Sequence, residues 1–183
     1  MKRTKMIHWF SLALFAIIFT ACGSSGKSET EADLMTQIST MEAGLYNSSN
    51  GILDMVKADS MVDLYEAFVA AFPSDSLSPR YLFKTAELQM GMNKNEDCIA
   101  TLSRIQNEYP DCAFMPTVLH FKAFVYDDKF QDYDKARACL DELIEKYPDD
   151  PLIPNAKAYR NMIGKDPNEV FKQQDSLPVP PAS

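Results

Sequence analysis

The sequence has few of the residues that build catalytic and metal sites. It contains two histidines in 183 residues, and only His120 lies outside the first 21 residues. A single imidazole has no nucleophile in its local sequence to activate and too few neighbouring ligands to hold a metal ion. A glycine-rich loop of the phosphate-binding kind is absent as well. We therefore expect no enzyme activity, no cofactor and no metal site.

Clustered acidic residues do not change that expectation. Four aspartates lie between residues 127 and 134, but they lack the ligand spacing and the turn glycine of a calcium-binding loop. A solvated connection between helices that carries an N-cap explains them more simply. The acidic residues between positions 54 and 66 likewise fit one charged face of a helix better than a catalytic pair.

Basic residues are fewer than acidic ones. The chain has 18 lysines and arginines against 26 aspartates and glutamates, which gives a net charge of -8. Residues 1–21 hold three basic residues and no acidic one, so the remainder carries -11 (-8 minus 3). Proteins that bind nucleic acid cluster Lys and Arg against phosphates. The balance therefore excludes nucleic acid as an expected partner.

The chain also lacks an apolar run of the roughly 20 residues that a membrane-spanning helix needs. Its most apolar stretch, residues 12–19, follows three basic residues and leads into Thr20-Ala21-Cys22. A short apolar core between positive charges and small residues is typical of a secretory signal peptide.

The Thr20-Ala21-Cys22 ending resembles the lipobox of bacterial lipoproteins, with Phe19 in place of the usual leucine. The resemblance implies a signal peptide over residues 1–21, a lipid such as palmitate on Cys22, and a flexible Gly/Ser-rich tether over residues 22–30. An ordinary signal peptide with a chance cysteine is the alternative.

Gly23 directly after this cysteine, in place of an aspartate, resembles lipoproteins that are released to the outer membrane. The resemblance implies an outer-membrane protein whose body faces the periplasm. Lys27-Ser28-Glu29 loosely resembles a surface-export signal, so exposure at the cell surface stays open.

Three further cysteines remain: Cys98, Cys112 and Cys139. An odd number cannot pair completely, and the spacings do not match the close pairs of zinc sites. We expect Cys98 and Cys139 to be small buried packing residues, which is common for free cysteine. A disulfide stays possible.

Proline marks a regular period in the sequence. The pairs Phe72-Pro73, Tyr109-Pro110 and Tyr147-Pro148 are 37 and then 38 residues apart. Proline ends a helix and is favoured in the first turn of the next one. The spacing therefore predicts repeated helix–turn–helix units, since a second proline follows six positions after each pair, at Pro79, Pro116 and Pro154.

The residues before each aromatic–proline pair support helices. Apolar residues three and four positions apart form one helical stripe in each unit. A weaker stripe contains Leu34, Ile38, Met41 and Leu45, and a second helix is predicted to begin at Ile52. The aligned apolar sets are Tyr65/Leu102/Leu140, Phe68/Ile105/Leu143 and Phe72/Tyr109/Tyr147.

This unit resembles the tetratricopeptide repeat. Its small residues match Ala86 and Ala123 in the first helices and Cys98 and Ala136 in the second helices, while Asn161 departs from the pattern in the last unit. The first-helix tryptophan of the family is also absent.

The resemblance implies an all-α fold, a short right-handed solenoid of tetratricopeptide-like helix–turn–helix repeats over residues 31–172. It is clear over residues 61–163 and weaker over residues 31–60. The last helix is expected over residues 155–163, followed by a short capping helix from Asp166-Pro167. Residues 173–183 form a proline-rich tail that we expect to be disordered.

In the tetratricopeptide family the first helices line a concave surface. The resemblance implies a partner-binding groove at Arg80, Phe83, Glu87, His120 and Phe124. Aromatic and charged side chains together suit an extended peptide or a docking helix. An ordinary position in the core between helices is the alternative for Phe83 and Phe124.

The lipobox and the short repeat stack make the chain most similar to repeat lipoproteins associated with outer-membrane barrel assembly and the Tol-Pal system, and to small repeat lipoproteins of the Bacteroidota. The resemblance implies a membrane-anchored adaptor that binds envelope proteins or peptides. Three functions stay open: barrel assembly or envelope maintenance, a Tol-Pal or cell-division accessory role, and a passive structural role without a dedicated partner.

Overall fold

The computed structural model describes residues 30–46 and 51–165, and these residues form seven α-helices. Each helix packs on the next one along the chain. No β-strand occurs in the described residues beyond one isolated bridge between Tyr46 and Leu53. The predicted all-α solenoid of tetratricopeptide-like repeats is confirmed. The helices are α1 (Glu31–Glu42), α2 (Met55–Ala71), α3 (Ser78–Gly91), α4 (Asn95–Glu108), α5 (Met115–Phe130), α6 (Tyr133–Lys146) and α7 (Ile153–Met162).

Several predictions concern residues outside the described ranges and stay predictions. They are the signal peptide over residues 1–21, the lipid on Cys22, most of the tether, the capping helix at Asp166-Pro167, and the tail over residues 173–183. Of the helices that the structure describes, none combines the length and the apolar character needed to cross a bilayer.

One turn geometry recurs at the three aromatic–proline pairs. The aromatic residue ends its helix with φ/ψ of -131/58° at Phe72, -132/52° at Tyr109 and -129/53° at Tyr147. Its carbonyl then accepts a hydrogen bond of 3.0 Å from the backbone N–H three residues later, in all three turns. The second prolines lie in the first turns of α3, α5 and α7, as predicted.

The residue two positions after the first proline of each turn fixes the start of the next helix. The carboxylates of Asp75 and Asp150 accept hydrogen bonds from the N–H groups of Leu77 and Leu152, at 2.7 and 2.8 Å. Such side-chain turns stabilise a chain reversal locally. In the middle turn the thiol of Cys112 takes this position and interacts with the backbone N–H of Phe114.

The aligned apolar residues form the shared interior. The sets that include Tyr65 and Phe68 are buried in all three units, whereas the aromatic residues of the turns are half-buried at the edge. A larger side chain at the small positions would push neighbouring helices apart. The small residues Ala86, Ala123, Cys98 and Ala136 all have 0% exposure, which confirms their assignment.

The three cysteines in the described residues are free. Burial raises the pKa of Cys98 to about 12 and that of Cys139 to about 11, so both stay neutral thiols. Their predicted role as packing residues is confirmed. Cys112 is half-buried, and burial raises its pKa too.

Two helix boundaries differ from the sequence prediction. Helix α2 begins three residues after the predicted Ile52, because the Asp54 carboxylate caps two N–H groups of its first turn. Helix α7 begins two residues before the predicted Asn155, since Pro154 needs no hydrogen-bond acceptor in the first turn. Gly164, with a φ of 71°, follows the end of α7.

Candidate partner-binding surface

Four phenylalanines from α3, the α4–α5 turn and α5 form a continuous line, which we name the aromatic row: Phe114, Phe83, Phe121 and Phe124. The ring centroid of Phe83 lies 5.8 Å from that of Phe114 and 5.5 Å from that of Phe121. Phe121 is stacked with Phe124 at 6.5 Å. Such ring pairs add stabilisation beyond the burial of their area, so the row is a packed apolar strip.

The two predicted aromatic residues occupy different parts of this strip. Phe83 is half-buried against the core, as the core alternative anticipates. Phe124 is 38% exposed. Phe121 bridges the two, so the structure brings both predicted residues into one surface.

Arg80 lies at the Phe114 end of the row. Its guanidinium carbon is 5.6 Å from the Phe114 ring centroid, within cation–π range. The side chain is exposed. The salt bridges of the described residues do not include it. Arg80 therefore presents a cation that makes no direct ion pair with an acidic side chain of the described residues.

Glu87 lines a pocket beside Phe121, the third ring of the row. The pocket, which we name the Glu87 pocket, has a volume of about 660 Å³ and opens between α3, α5 and residues 45–46 and 51–53. Phe121 belongs to both the pocket and the aromatic row, so the two are continuous. The apolar residues of its wall include Leu45, Leu53, Leu88, Met90 and Phe121.

The Glu87 carboxylate has no salt bridge with another described residue. Burial of this carboxylate among protein atoms raises its pKa above the usual range, and the charge of Lys84 offsets that rise only in part. The side chain is nevertheless open to solvent along part of its length. Glu87 is thus an accessible anion that makes no ion pair with another described residue, although the charge of Lys84 acts on it.

Lys84 is held by Glu42, which also lines the pocket. Its ammonium donates to Glu42 Oε1 at 2.6 Å, and the Tyr65 hydroxyl donates to the same oxygen at 2.5 Å. Burial opposes ionisation of Glu42, but the bonds from Lys84 and Tyr65 outweigh it and lower its pKa. This network, which we name the Glu42 network, joins α1, α2 and α3.

His120 lies four residues before Phe124 on α5, so the two share a helix face, but the His120 side chain contacts α7. Its ring centroid is 5.7 Å from that of Tyr159 on α7, whose hydroxyl donates to Asp127 at 2.7 Å. Atom Nε2 of His120 is buried and has no hydrogen-bond partner among the described residues. Burial lowers the pKa of this imidazole. These contacts turn His120 toward α7, and its part in partner binding stays a prediction.

Sequence reasoning did not identify Phe114, Phe121 or the Glu42 network. Phe121 and Phe124 are three residues apart, so they share a helix face, and this spacing is the signal that points to the row. Phe114 lies in the α4–α5 turn, where the spacing between residues does not indicate which side chains lie on the same face. The Glu42–Lys84 pair joins residues 42 positions apart in the sequence, and no local pattern indicates it.

The described residues contain no group of three or more His, Cys, Asp or Glu side chains that could hold a metal ion. The chemistry that this surface offers is a strip of aromatic rings with a cation at the Phe114 end and an anion in the pocket beside Phe121. Residues 80 and 87 are two helical turns apart, which is about 10.5 Å along the axis, and they share one face of α3.

Comparison with curated proteins gives no match. The tetratricopeptide repeat family matches residues 80–111 and 122–150. These stretches contain most of α3 and α4, the second half of α5 and the whole of α6. The described part of the chain is therefore a solenoid of tetratricopeptide-like repeats, an architecture that indicates a role in binding other proteins.

Proposed function

We propose that the protein is a lipid-anchored adaptor of the cell envelope, which captures another protein on the surface formed by Arg80, the aromatic row and Glu87. The observation that carries this proposal is the continuity of the row with two charges that lack an ion pair among the described residues, Arg80 at Phe114 and Glu87 in the pocket beside Phe121. Charges without a partner are not expected inside a protein core, because an ion that is buried there is stabilised by a partner.

The surface suits a peptide segment or a helix of the partner. Burying an aromatic or aliphatic side chain against the rings removes apolar area from water, at about 25 cal/mol per Å². Aromatic and Arg side chains are the ones that most often dominate binding energies at protein interfaces. Arg80 would attract an acidic group of the partner, and the row would take its apolar side chains.

The membrane anchor rests on the sequence. The Thr20-Ala21-Cys22 ending supports lipidation of Cys22, and residues 22–30 separate that cysteine from α1. A chain of nine residues spans at most about 30 Å when extended. An adaptor on this tether works close to the outer membrane, with its repeat domain in the periplasm.

We place the adaptor in outer-membrane protein assembly or envelope maintenance, because a short repeat stack behind a lipobox resembles lipoproteins of that system. A Tol-Pal or cell-division accessory is the second candidate. The two predict co-purification with different complexes, a barrel assembly core in the first case and peptidoglycan-linked proteins in the second. A passive lipoprotein predicts neither.

The capture surface is tested by affinity purification from detergent-solubilised membranes. Phe124→Ala is expected to reduce the yield of the specific partner by about tenfold, the loss typical of a hot-spot residue. Phe130→Ala is the matched control, since Phe130 lies on the same helix with 37% exposure but outside the row. Equal yields from the two variants would reject the aromatic row as the capture surface.

The anchor is tested separately by fractionation. A Cys22→Ser variant is expected to leave the membrane fraction, because the acyl chains supply the membrane affinity. If this variant still sediments with membranes, the lipid anchor is wrong, while the capture surface keeps its own test.

A further inference from the structure

We propose that the Glu87 pocket binds a lysine or arginine side chain of the captured partner. The inference rests on the proposed function, because it specifies one feature of the partner's bound segment. It assigns the cation to the pocket and the apolar side chains of that segment to the aromatic row.

The charged side chains that line the pocket determine the sign of the ligand's charge. Two carboxylates, those of Glu42 and Glu87, line the pocket together with a single ammonium, that of Lys84. Lys84 donates to Glu42 at 2.6 Å and is further held over the rings of Tyr65 and Tyr81, at 5.8 and 5.9 Å. Lys84 thus forms its ion pair with Glu42 and not with Glu87, and the pocket lining contains one more carboxylate than ammonium.

The apolar walls decide the shape of the ligand. Long basic side chains bury their methylene groups along apolar surface and direct the charged group toward a polar partner. In the Glu87 pocket, Leu53, Met90 and Phe121 offer that surface next to the carboxylate. A small inorganic cation would leave these walls uncovered, and an acidic side chain would meet two carboxylates.

Rigidity favours binding at this site. Tyr65 and Tyr81, which support Lys84, are stacked with ring centroids 5.1 Å apart. The Tyr65 hydroxyl and the Lys84 ammonium both bind the same oxygen of Glu42. Because Lys84 is already bound to Glu42, a partner's cation would not have to displace it from Glu87, and little reorganisation has to precede binding.

The position of the pocket also sets the direction of the bound segment. Arg80 lies over Phe114 at one end of the aromatic row, and Glu87 lies in the pocket that includes Phe121, on the same face of α3. A segment with an acidic group near Arg80 and a basic group near Glu87 would be bound in one direction only, since reversal places like charges together.

The test is an NMR titration of the full repeat domain with small probes. N-acetyl-lysine methylamide and N-acetyl-arginine methylamide are expected to shift the amide signals of Leu53 and Gly91, which line the pocket, in a saturable manner. The uncharged N-acetyl-norleucine methylamide should bind about tenfold more weakly, since a hydrogen-bonded charge pair is lost. Norleucine and lysine probes that shift these signals equally, or charged probes that shift neither, overturn the proposal.

Variants separate this proposal from the proposed function. Glu87→Gln keeps the shape of the side chain and should weaken the charged probes to the level of norleucine. Glu145→Gln on α6, an exposed position outside the pocket, should leave the titration unchanged. If Phe124→Ala abolishes partner capture while Glu87→Gln changes neither capture nor titration, the pocket is rejected and the adaptor stands. The converse result rejects the row as the capture surface and keeps the pocket.

Discussion

The N-terminal unit, α1 and α2, and the central repeats, α3 to α6, both form packed helical hairpins, but different interactions hold them. The central repeats share one turn geometry and fully buried small residues at the helix crossings. The N-terminal unit ends in the same turn, at Phe72, and adds the Asp54 cap and a capping box at Thr30. It is tied to α3 by the Glu42 network.

The comparison shows where a recurring turn sequence is needed. Where units repeat, the same turn must recur so that each hairpin meets the next at the same angle. Among the described residues the N-terminal unit has a neighbouring unit on one side only, so the turn at Phe72 and individual side-chain bonds are sufficient to fix it. The family match begins at residue 80 and so leaves out α1 and α2. The Glu87 pocket lies where the two kinds of unit meet.

The largest effect is expected from a cavity in the central repeats. Leu102 has 0% exposure on α4, and Leu102→Ala should cost about 2–5 kcal/mol in free energy of unfolding. Because stacked repeats stabilise their neighbours, α3 to α6 should lose stability together. Chemical denaturation followed by far-ultraviolet circular dichroism measures this loss.

Leu34→Ala is the matched substitution in the N-terminal unit, since Leu34 is 3% exposed on α1. Helix α1 packs chiefly on α2, so we expect the loss of hydrogen-exchange protection to concentrate in α1. Equal loss of protection across α3 to α6 in the two variants would show that the N-terminal unit is no more separable than a central repeat.

A smaller effect is expected from the Glu42 network. Tyr65→Phe removes the hydroxyl that donates to Glu42 and keeps the ring stacked on Tyr81. We expect a loss of about 1 kcal/mol, because Glu42 keeps Lys84 and has access to water. The network lowers the pKa of Glu42, so its contribution is present above the ordinary Glu pKa and is lost as the pH falls through the lowered value.

The pH dependence supplies the control for that variant. Thermal unfolding of parent and Tyr65→Phe should differ at neutral pH and converge in acid, where Glu42 is protonated in both. A difference that stays constant over the whole range would mean that the hydroxyl acts through packing and not through the carboxylate.

The sequence predicts the central repeats well because proline acts locally. Pro79 and Pro116 determine helix starts without reference to the rest of the chain. The start of α2 is predicted less well, since the choice between Ile52 and Met55 depends on the cap by Asp54. Apolar spacing alone cannot resolve such a cap.

The candidate surface is predictable only in part. The family alignment places Arg80, Phe83, Glu87 and Phe124 on first helices, and the structure joins them through Phe121. Ion pairs between residues that are distant in the sequence determine which carboxylate is left without a partner. The Glu42–Lys84 bond, for example, spans 42 positions. Such pairing follows from the packed fold and not from a local pattern.

A substitution in the middle turn is expected to increase the stability of the protein. Cys112 stands where Asp75 and Asp150 each accept a backbone N–H in the other two turns. Cys112→Asn supplies an oxygen acceptor without adding charge beside Asp111, and we expect about 0.5 kcal/mol of stabilisation. Cys112→Ala is the control, and a melting temperature of the Asn variant no higher than that of the Ala variant would show that the three turns are not equivalent.

The smallest effect concerns Glu87. Its ionised carboxylate is expected to destabilise the fold, whereas that of Glu42 stabilises it. Burial raises the pKa of Glu87 in the folded chain, so its ionised form destabilises the fold at a pH above the raised value and has no such effect in acid. Glu87→Gln should therefore be more stable than the parent at neutral pH by less than about 1 kcal/mol, since the side chain is exposed. Thermal unfolding at neutral and acidic pH, with Glu145→Gln as the control, measures the difference.

A Gln variant that is less stable at neutral pH would mean that Glu87 already has a stabilising partner within the chain, which removes the reason for a cation from outside. A carboxylate that weakens the free protein, beside one that strengthens it, is what a binding site at the junction of the two regions requires.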